Sequence, residues 1–77
     1  GLRDIPIDES TVAFGEIGLS GELRSVPRAQ ARVSEAARMG FKKCILPASC
    51  LKAVTSVPEG IELIGVRRLS DAVSRIV

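Results

Sequence analysis

The sequence feature that most constrains the fold is the stretch over residues 15–47, where three secondary-structure patterns follow one another without interruption. The first is a hairpin pattern. Residues 11–17 are rich in β-branched and aromatic side chains, which favours a strand, and residues 22–26 alternate polar with apolar side chains. Between these runs, Gly18 and Gly21 tolerate the positive φ values that tight turns need. The two runs are therefore predicted to pair as a β-hairpin.

A helix pattern follows directly. Pro27 has a fixed φ and lacks an N–H, and both properties suit the first position of a helix. Gly40 suits the left-handed position after a helix end. The spacing predicts a helix over residues 27–39 that lies close on a sheet through one stripe of small apolar residues, namely Ala29, Val33, Ala36 and Ala37.

The third pattern is a strand over residues 41–47, which has a continuous apolar centre and ends at a proline. Such a centre is typical of a strand buried on both faces. Residues 48–54 are then predicted to form a short helix with Ser49 as its N-cap. Its inward-facing side chains are predicted to be Cys50, Leu51 and Val54.

The remaining elements complete a mixed α/β pattern. A turn is predicted at residues 58–60 and a second buried strand at residues 61–66. A final helix follows, with a stripe of Leu69, Ala72, Val73 and Ile76. The predicted fold class is α/β (α+β), a β-hairpin followed by βα units in which helices pack on a small mixed sheet.

The length of 77 residues allows one domain at most. Pro6 and the polar run at residues 8–10 indicate that residues 1–10 form a leading segment ending in a turn, and residues 11–77 form the domain. Because the chain begins with glycine rather than methionine, we expect a fragment of a longer polypeptide.

Composition is silent on partners but argues against a membrane-spanning helix and a zinc site. The net charge of +2 is too small to indicate a nucleic-acid or membrane partner by itself. No apolar run approaches the roughly 20 residues of a membrane-spanning helix, and no signal peptide is recognisable, so we expect a soluble, cytoplasmic protein. Histidine is absent and the cysteines are two, which removes the usual zinc spacings. Cys44, within an apolar run, is predicted to be a buried free thiol.

Short motifs spread over residues 11–77 have the same residues at the same spacing as a known family. The sequence resembles the C-terminal Lon-protease-like domain of the bacterial RadA (Sms) family. The motifs that carry the resemblance are Phe14-Gly15-Glu16-Ile17-Gly18-Leu19, Gly21-Glu22, Arg24, Val26-Pro27-Arg28, Gln30, Arg32, Glu35-Ala36-Ala37, Gly40-Phe41, Ile45-Leu46-Pro47 and the run GIELIGVRRLSDAV from Gly60.

The resemblance implies part of a Lon-protease-like (ribosomal S5 domain 2-like) fold within a DNA repair and recombination protein. Members of the family form hexameric rings that bind DNA and drive branch migration with ATP. The implied partners are the protein's own RecA-like ATPase core, neighbouring subunits of a homo-oligomer and, through the parent protein, DNA, with no membrane. No cofactor is expected in this fragment, whereas ATP and zinc are expected in the rest of the parent.

More distantly, the chain is similar to the proteolytic domain of Lon, which uses a Ser-Lys dyad. The lysine must take the serine proton, but alignment on the Lon pattern puts Gln30 at its position, and an amide cannot act as that base. None of Ser10, Ser20, Ser25 and Ser34 has a setting like that of the nucleophile. We therefore expect a non-proteolytic domain without catalytic residues. The alternative is the C-terminal half of an active Lon-type peptidase.

Arg24, Arg28 and Arg32 could project together, since Arg28 and Arg32 are one helical turn apart. One interpretation is a solvent-exposed face on which Glu22 and Glu35 form ion pairs with these arginines. The other is a surface that contacts DNA phosphates or a neighbouring subunit.

Two further basic pairs, Lys42 with Lys43 and Arg67 with Arg68, each stand beside a predicted strand end and could lie close together. Lys42 and Lys43 could be offered as substitutes for the catalytic lysine. We interpret them instead as solvated or partner-facing residues. Such a patch would suffice for a salt-sensitive DNA contact, and base stacking is not expected because no aromatic residues interleave with these charges.

Overall fold

A computed structural model describes the backbone of residues 2–76 and the side chains of residues 4–72. The predicted fold class is confirmed: helices pack on a five-stranded mixed sheet. The elements are β1 (Leu2–Pro6), β2 (Thr11–Ile17), β3 (Leu23–Arg24), α1 (Ala29–Arg38), β4 (Lys43–Pro47), a 3₁₀ helix (Ala48–Ala53), β5 (Glu62–Val66) and α2 (Leu69–Ile76). Neither helix within residues 2–76 is long and apolar enough to cross a lipid bilayer.

Strand β2 organises the sheet, whose order is β1-β2-β4-β5. One edge of β2 pairs antiparallel with β1. Its other neighbours are β4, parallel at Thr11 to Ala13, and β3, antiparallel at Glu16 and Ile17. The β2–β3 pairing confirms the predicted hairpin, and β4 then pairs parallel with β5. All the parallel strands therefore end at the same edge of the sheet, beside the hairpin turn.

Strand β1 is absent from the sequence-based prediction, which assigned only a leading segment and a turn to residues 1–10. The strand ends at Pro6, which pairs with Val12 in the register. Proline is tolerated there because β1 lies at the edge of the described sheet. The polar run after it does turn the chain, since Asp8 Oδ1 accepts a hydrogen bond of 2.8 Å from the Ser10 N–H.

The core lies on both faces of the sheet because successive strand residues point to opposite sides. The larger cluster packs Val12, Phe14, Cys44 and Leu46 of the sheet against Ala29, Val33 and Ala36 of α1. On the opposite face, Ile45 packs with Val66 and Ala72. Strand β4 is thus buried on both faces, as predicted, and Cys44 is a buried free thiol.

Helix α1 begins two residues later than predicted. Pro27 lies before the helix, and Arg28 is the N-cap residue in the left-handed conformation, with φ 62° and ψ 39°. The fixed φ of Pro27 therefore serves the approach to the helix rather than its first turn. The predicted end is confirmed, because Gly40 has φ +95° after the cap residue Met39.

Three local predictions are wrong. Residues 48–53 form a 3₁₀ helix with Pro47, not Ser49, at its N-cap, and the Ser49 hydroxyl instead bonds that of Ser25. Leu51 is 40% exposed, although Cys50 and Val54 are buried as predicted. In α2, Leu69 is 43% exposed and does not join the core, whereas Ala72 does. The predicted contributions of Val73 and Ile76 lie outside the described side chains.

Candidate nucleic-acid interface

The hairpin turn packs on the junction between β5 and α2, and this contact brings arginines from separate segments to one end of the sheet. The Leu23 N–H donates to the Arg67 carbonyl at 2.8 Å, and the Leu69 N–H donates to the Gly21 carbonyl at 2.8 Å. The Arg68 guanidinium also donates to the Ser20 carbonyl. Arg24, next to Leu23, therefore lies on a backbone segment adjacent to Arg67 and Arg68. We call these three arginines the hairpin-end arginines.

Glu22 orders this end of the molecule. Its Oε2 accepts from Arg24 at 3.0 and 3.3 Å, and its Oε1 accepts from the Ser20 N–H at 3.0 Å. A backbone hydrogen bond within Glu22, followed by the Arg24 side chain, holds the pKa of the Glu22 carboxyl below its ordinary value. A Cβ at Gly18 would collide with this carboxylate, so the folded-back Glu22 requires glycine there. The predicted ion pairing of Glu22 is confirmed.

Arg28 and Arg32 lie on a different part of the surface, along a groove of about 580 Å³ between β1 and α1. Nη1 of Arg32 donates to Asp4, and its Nε donates to the Pro27 carbonyl at 3.3 Å. Arg28 is exposed and forms no ion pair with any described side chain. Within the predicted trio, Arg32 is thus engaged by the fold, while Arg28 remains open to a partner.

Glu35 does not compensate these arginines as predicted. Its carboxylate binds Arg38 one turn later, at 2.6 and 3.1 Å. Both side chains are exposed, so this pair contributes little to stability.

The two other basic pairs lie far from each other, so the expectation that they meet is wrong. In the parallel β4–β5 register, Lys43 stands opposite Glu62 and Pro47 stands opposite Val66. Lys42 and Lys43 are therefore at the amino end of these strands, and Arg67 and Arg68 follow the carboxyl end. Two residues at the start of one strand and two after the end of its parallel neighbour lie at opposite edges of the sheet.

Gln30, at the position that the resemblance gives to a catalytic lysine, fastens α1 to the loop after the 3₁₀ helix. Its Oε1 accepts from the N–H groups of Thr55 and Ser56 at 2.9 and 3.0 Å. Its Nε2 donates to the Ser56 carbonyl at 2.7 Å and to the Ser34 hydroxyl at 3.3 Å. Both ends of the amide are thus used in structural contacts, a role that no sequence pattern indicated.

No family model matches the chain. Its sequence is 49% identical over 73 residues to the DNA repair protein RadA of Escherichia coli (strain K12), an alignment that covers 95% of this chain and 15% of that protein. The resemblance to RadA is confirmed. The RadA of Bacillus subtilis (strain 168) is 46% identical over 71 residues, which cover 92% of this chain and 15% of the relative. The RadA of Streptococcus pyogenes serotype M1 is 35% identical over 74 residues, which cover 96% of this chain and 16% of the relative. The chain thus spans 15 to 16% of the length of these RadA proteins.

Proposed function

We propose that the chain is a non-proteolytic, Lon-like DNA-contact and scaffold domain of a RadA-type DNA repair protein. In this proposal the parent protein is a hexamer that binds ATP and zinc outside this domain, acts in the cytoplasm and drives branch migration of recombination intermediates. The domain itself supplies phosphate contacts and packs against its ATPase core and neighbouring subunits. The relatives support the link to DNA repair, because each is named a DNA repair protein.

The observation that carries the DNA contact is the arrangement of the hairpin-end arginines. Arginine binds phosphate through a planar fork of donors, and contacts of this kind need no base sequence. The side chain of Arg67 is exposed and has no ion pair with a described residue, and that of Arg24 is 56% exposed beside Glu22. Both guanidinium groups are therefore accessible to a strand that crosses the hairpin end. Arg28 offers a further cation along α1.

Gln30 supports the non-proteolytic part of the proposal. A Ser-Lys dyad needs an amine that can accept a proton, and the amide of Gln30 has no such group. Its hydrogen bonds to Ser34 and Ser56 are those of a neutral donor and acceptor. No geometric observation among the described residues favours the peptidase alternative. Peptide hydrolysis by the purified protein would nevertheless overturn this part of the proposal.

The test is DNA binding across a salt series with variants of matched charge. Each phosphate contact releases counterions. Arg67→Ala and Arg24→Ala should therefore each reduce the slope of log binding constant against log salt concentration by about one. The control is the pair Lys42→Ala and Lys43→Ala, at the opposite end of the strands, which should leave the slope unchanged. If the lysine variants flatten the slope and the arginine variants do not, the interface is wrongly placed.

The mass in solution, measured on the same variants, separates DNA contact from subunit contact. If the arginine variants keep DNA binding but change the assembly, the hairpin-end arginines belong to a subunit interface and the domain is a scaffold alone. If they weaken DNA binding at constant mass, the proposed phosphate contact is supported.

A further inference from the structure

The two edges of the described sheet differ in how they are protected. Strand β1 carries the charged Asp4 and ends at Pro6, and a charge or a proline on an edge strand hinders the addition of a further strand. Strand β5 forms the opposite edge and contains no proline. Its one charged residue, Glu62, stands at its first position. The β5 edge therefore lacks the devices that protect β1.

The backbone of β5 has groups available to another strand. The Glu62 N–H donates to the Lys42 carbonyl at 2.9 Å, so the backbone groups of Glu62 face β4. Backbone groups of successive strand residues point to alternate sides, which directs those of Leu63 and Gly65 away from β4. Within the described part of the chain, β4 is the only strand that pairs with β5. The N–H and carbonyl groups of Leu63 and Gly65 thus form an open edge.

The side chains at this edge are apolar on both faces of the sheet. Leu63 packs on the larger core cluster and Ile64 on the smaller one, and both remain partly exposed. Leu51 is 40% exposed and lies over Gly65, where a Cβ would come within 2.6 Å of the Leu51 Cδ1. A strand added to β5 would therefore cover apolar side chains in addition to pairing the backbone.

We propose that β5 pairs with β5 of a second copy of the chain, antiparallel, about a two-fold axis at Ile64. This inference rests on the subunit contact proposed above and names the surface that makes it. A contact between identical strands related by a two-fold axis is necessarily antiparallel. In this register Leu63 exchanges both backbone hydrogen bonds with Gly65 of the partner subunit, and the side chain of Ile64 lies opposite Ile64 of the partner subunit. The two sheets thereby become one continuous sheet.

The charges along the β5 segment favour a second copy as the occupant. Two acidic residues precede its apolar centre and two arginines follow it, namely Glu59, Glu62, Arg67 and Arg68. Antiparallel pairing places the acidic end of each copy beside the basic end of the other, where opposite charges attract. Glu62 and Arg67 form no ion pair with a described side chain. Lys42 and Lys43 lie one strand further from this edge, and Asp71 lies in α2.

The test is sedimentation equilibrium of the chain over a series of concentrations. A contact between two five-residue strands is smaller than a stand-alone interface, so the average mass should rise with concentration from that of one chain toward that of two. Ile64→Lys should raise the dissociation constant of the pair by about tenfold, because two lysines would face each other across the axis. The matched control is Ile5→Lys, the same change on the same face of the other edge strand, which should leave the association unchanged.

Amide hydrogen exchange in the wild-type chain adds a readout that does not depend on a variant's folding. The amides of Leu63 and Gly65 have their strand partner only in the pair, so their exchange should slow as the concentration rises. The Ile64 amide faces β4 and should be protected at every concentration.

The outcomes separate the β5 pairing from the function on which it rests. If Ile5→Lys abolishes the association and Ile64→Lys does not, a subunit contact exists at β1 and the β5 pairing is wrong. If the mass stays that of one chain and the amides of Leu63 and Gly65 exchange freely, the pairing fails, while the DNA contact is judged by its own salt series. If these amides are protected at the mass of one chain, the edge is covered from within the chain, which also overturns the pairing.

Discussion

Nη1 of Arg32 donates to both carboxylate oxygens of Asp4, at 3.0 and 3.1 Å, and so joins two residues that are 28 positions apart in the chain. The guanidinium carbon also lies 5.9 Å from the centre of the Phe14 ring. The contact fastens edge strand β1 to helix α1. It gives Arg32 a structural role that sets it apart from Arg24 and Arg28.

The first prediction separates the ion pair of Arg32 from its other contacts. Asp4→Asn should lower the free energy of unfolding by about 0.5 kcal/mol, because the carboxylate is exposed and the ion pair is screened by water. Arg32→Ala should cost about 0.5 to 1 kcal/mol more, because the packing on Phe14 and the hydrogen bond to the Pro27 carbonyl are also lost. Urea denaturation measures both. Equal losses in the two variants would show that the ring contact and the Pro27 hydrogen bond contribute nothing.

The second prediction concerns the backbone of Arg28. The left-handed conformation costs a non-glycine residue roughly 1 kcal/mol, and Arg28→Gly removes this cost. Glycine also has more freedom in the unfolded chain, which cancels part of the gain, so the free energy of unfolding should rise by about 0.5 kcal/mol. Arg28→Ala is the control, since it removes the same charge and keeps the unfavourable φ. A stabilisation by alanine equal to that by glycine would assign the effect to charge instead.

The third prediction concerns the hydrogen bonds of Gln30. Gln30→Ala should lower the free energy of unfolding by about 1 to 2 kcal/mol, because the N–H groups of Thr55 and Ser56 lose their acceptor. Amide hydrogen exchange at these two residues should accelerate. Ser34→Ala, which removes only the contact at 3.3 Å, should leave their exchange unchanged. Unaltered exchange in Gln30→Ala would mean that the loop is held by other contacts.

The parts of the fold that the sequence predicted correctly depend on local patterns. The stripe of Ala29, Val33 and Ala36 repeats with the period of a helix, and the centre of β4 is an uninterrupted apolar run, so neighbouring residues suffice to identify each element. Gly21 was likewise recognisable, because its φ is +81°, whereas Gly18 has no positive φ and instead leaves room for the Glu22 carboxylate.

What the sequence did not predict depends on residues distant along the chain. Strand β1 has no pattern of its own and is a strand only because β2 provides its hydrogen-bonding partner. The roles of Arg32 and Gln30 likewise require Asp4 and the loop at residues 55–56, separated from them by 25 to 28 positions. The sequence placed Arg24, Arg28 and Arg32 on one face, whereas the structure puts Arg24 at the hairpin end and Arg28 and Arg32 along the groove between β1 and α1.

The fourth prediction concerns the response of the hairpin turn to acid. Glu22 has a lowered pKa in the folded protein, so its carboxylate contributes stability that is present above its ordinary pKa of 4.5 and is lost as the pH falls through the lower folded value. NMR titration should show the Ser20 amide losing protection in that range. Glu22→Ala, which removes the acceptor altogether, should loosen the amide at neutral pH and remove its acid response. An unchanged Ser20 amide in this variant would contradict the bracing role of Glu22.

The fifth prediction concerns alkaline pH. Burial, and secondly the charge of Asp4, raises the pKa of the Cys44 thiol from 9.0 to about 12. Above pH 9 the unfolded chain loses this proton while the folded protein keeps it, so stability should fall by up to about 1.4 kcal/mol per pH unit until about pH 12. Urea denaturation between pH 7 and pH 10.5 should therefore show a steeper decline for the wild type than for Cys44→Ala. Lysines titrate in both proteins, so the difference between the two curves isolates the thiol. Parallel curves would show that the Cys44 thiol titrates alike in the folded and unfolded chains, and that its burial in β4 does not protect its proton.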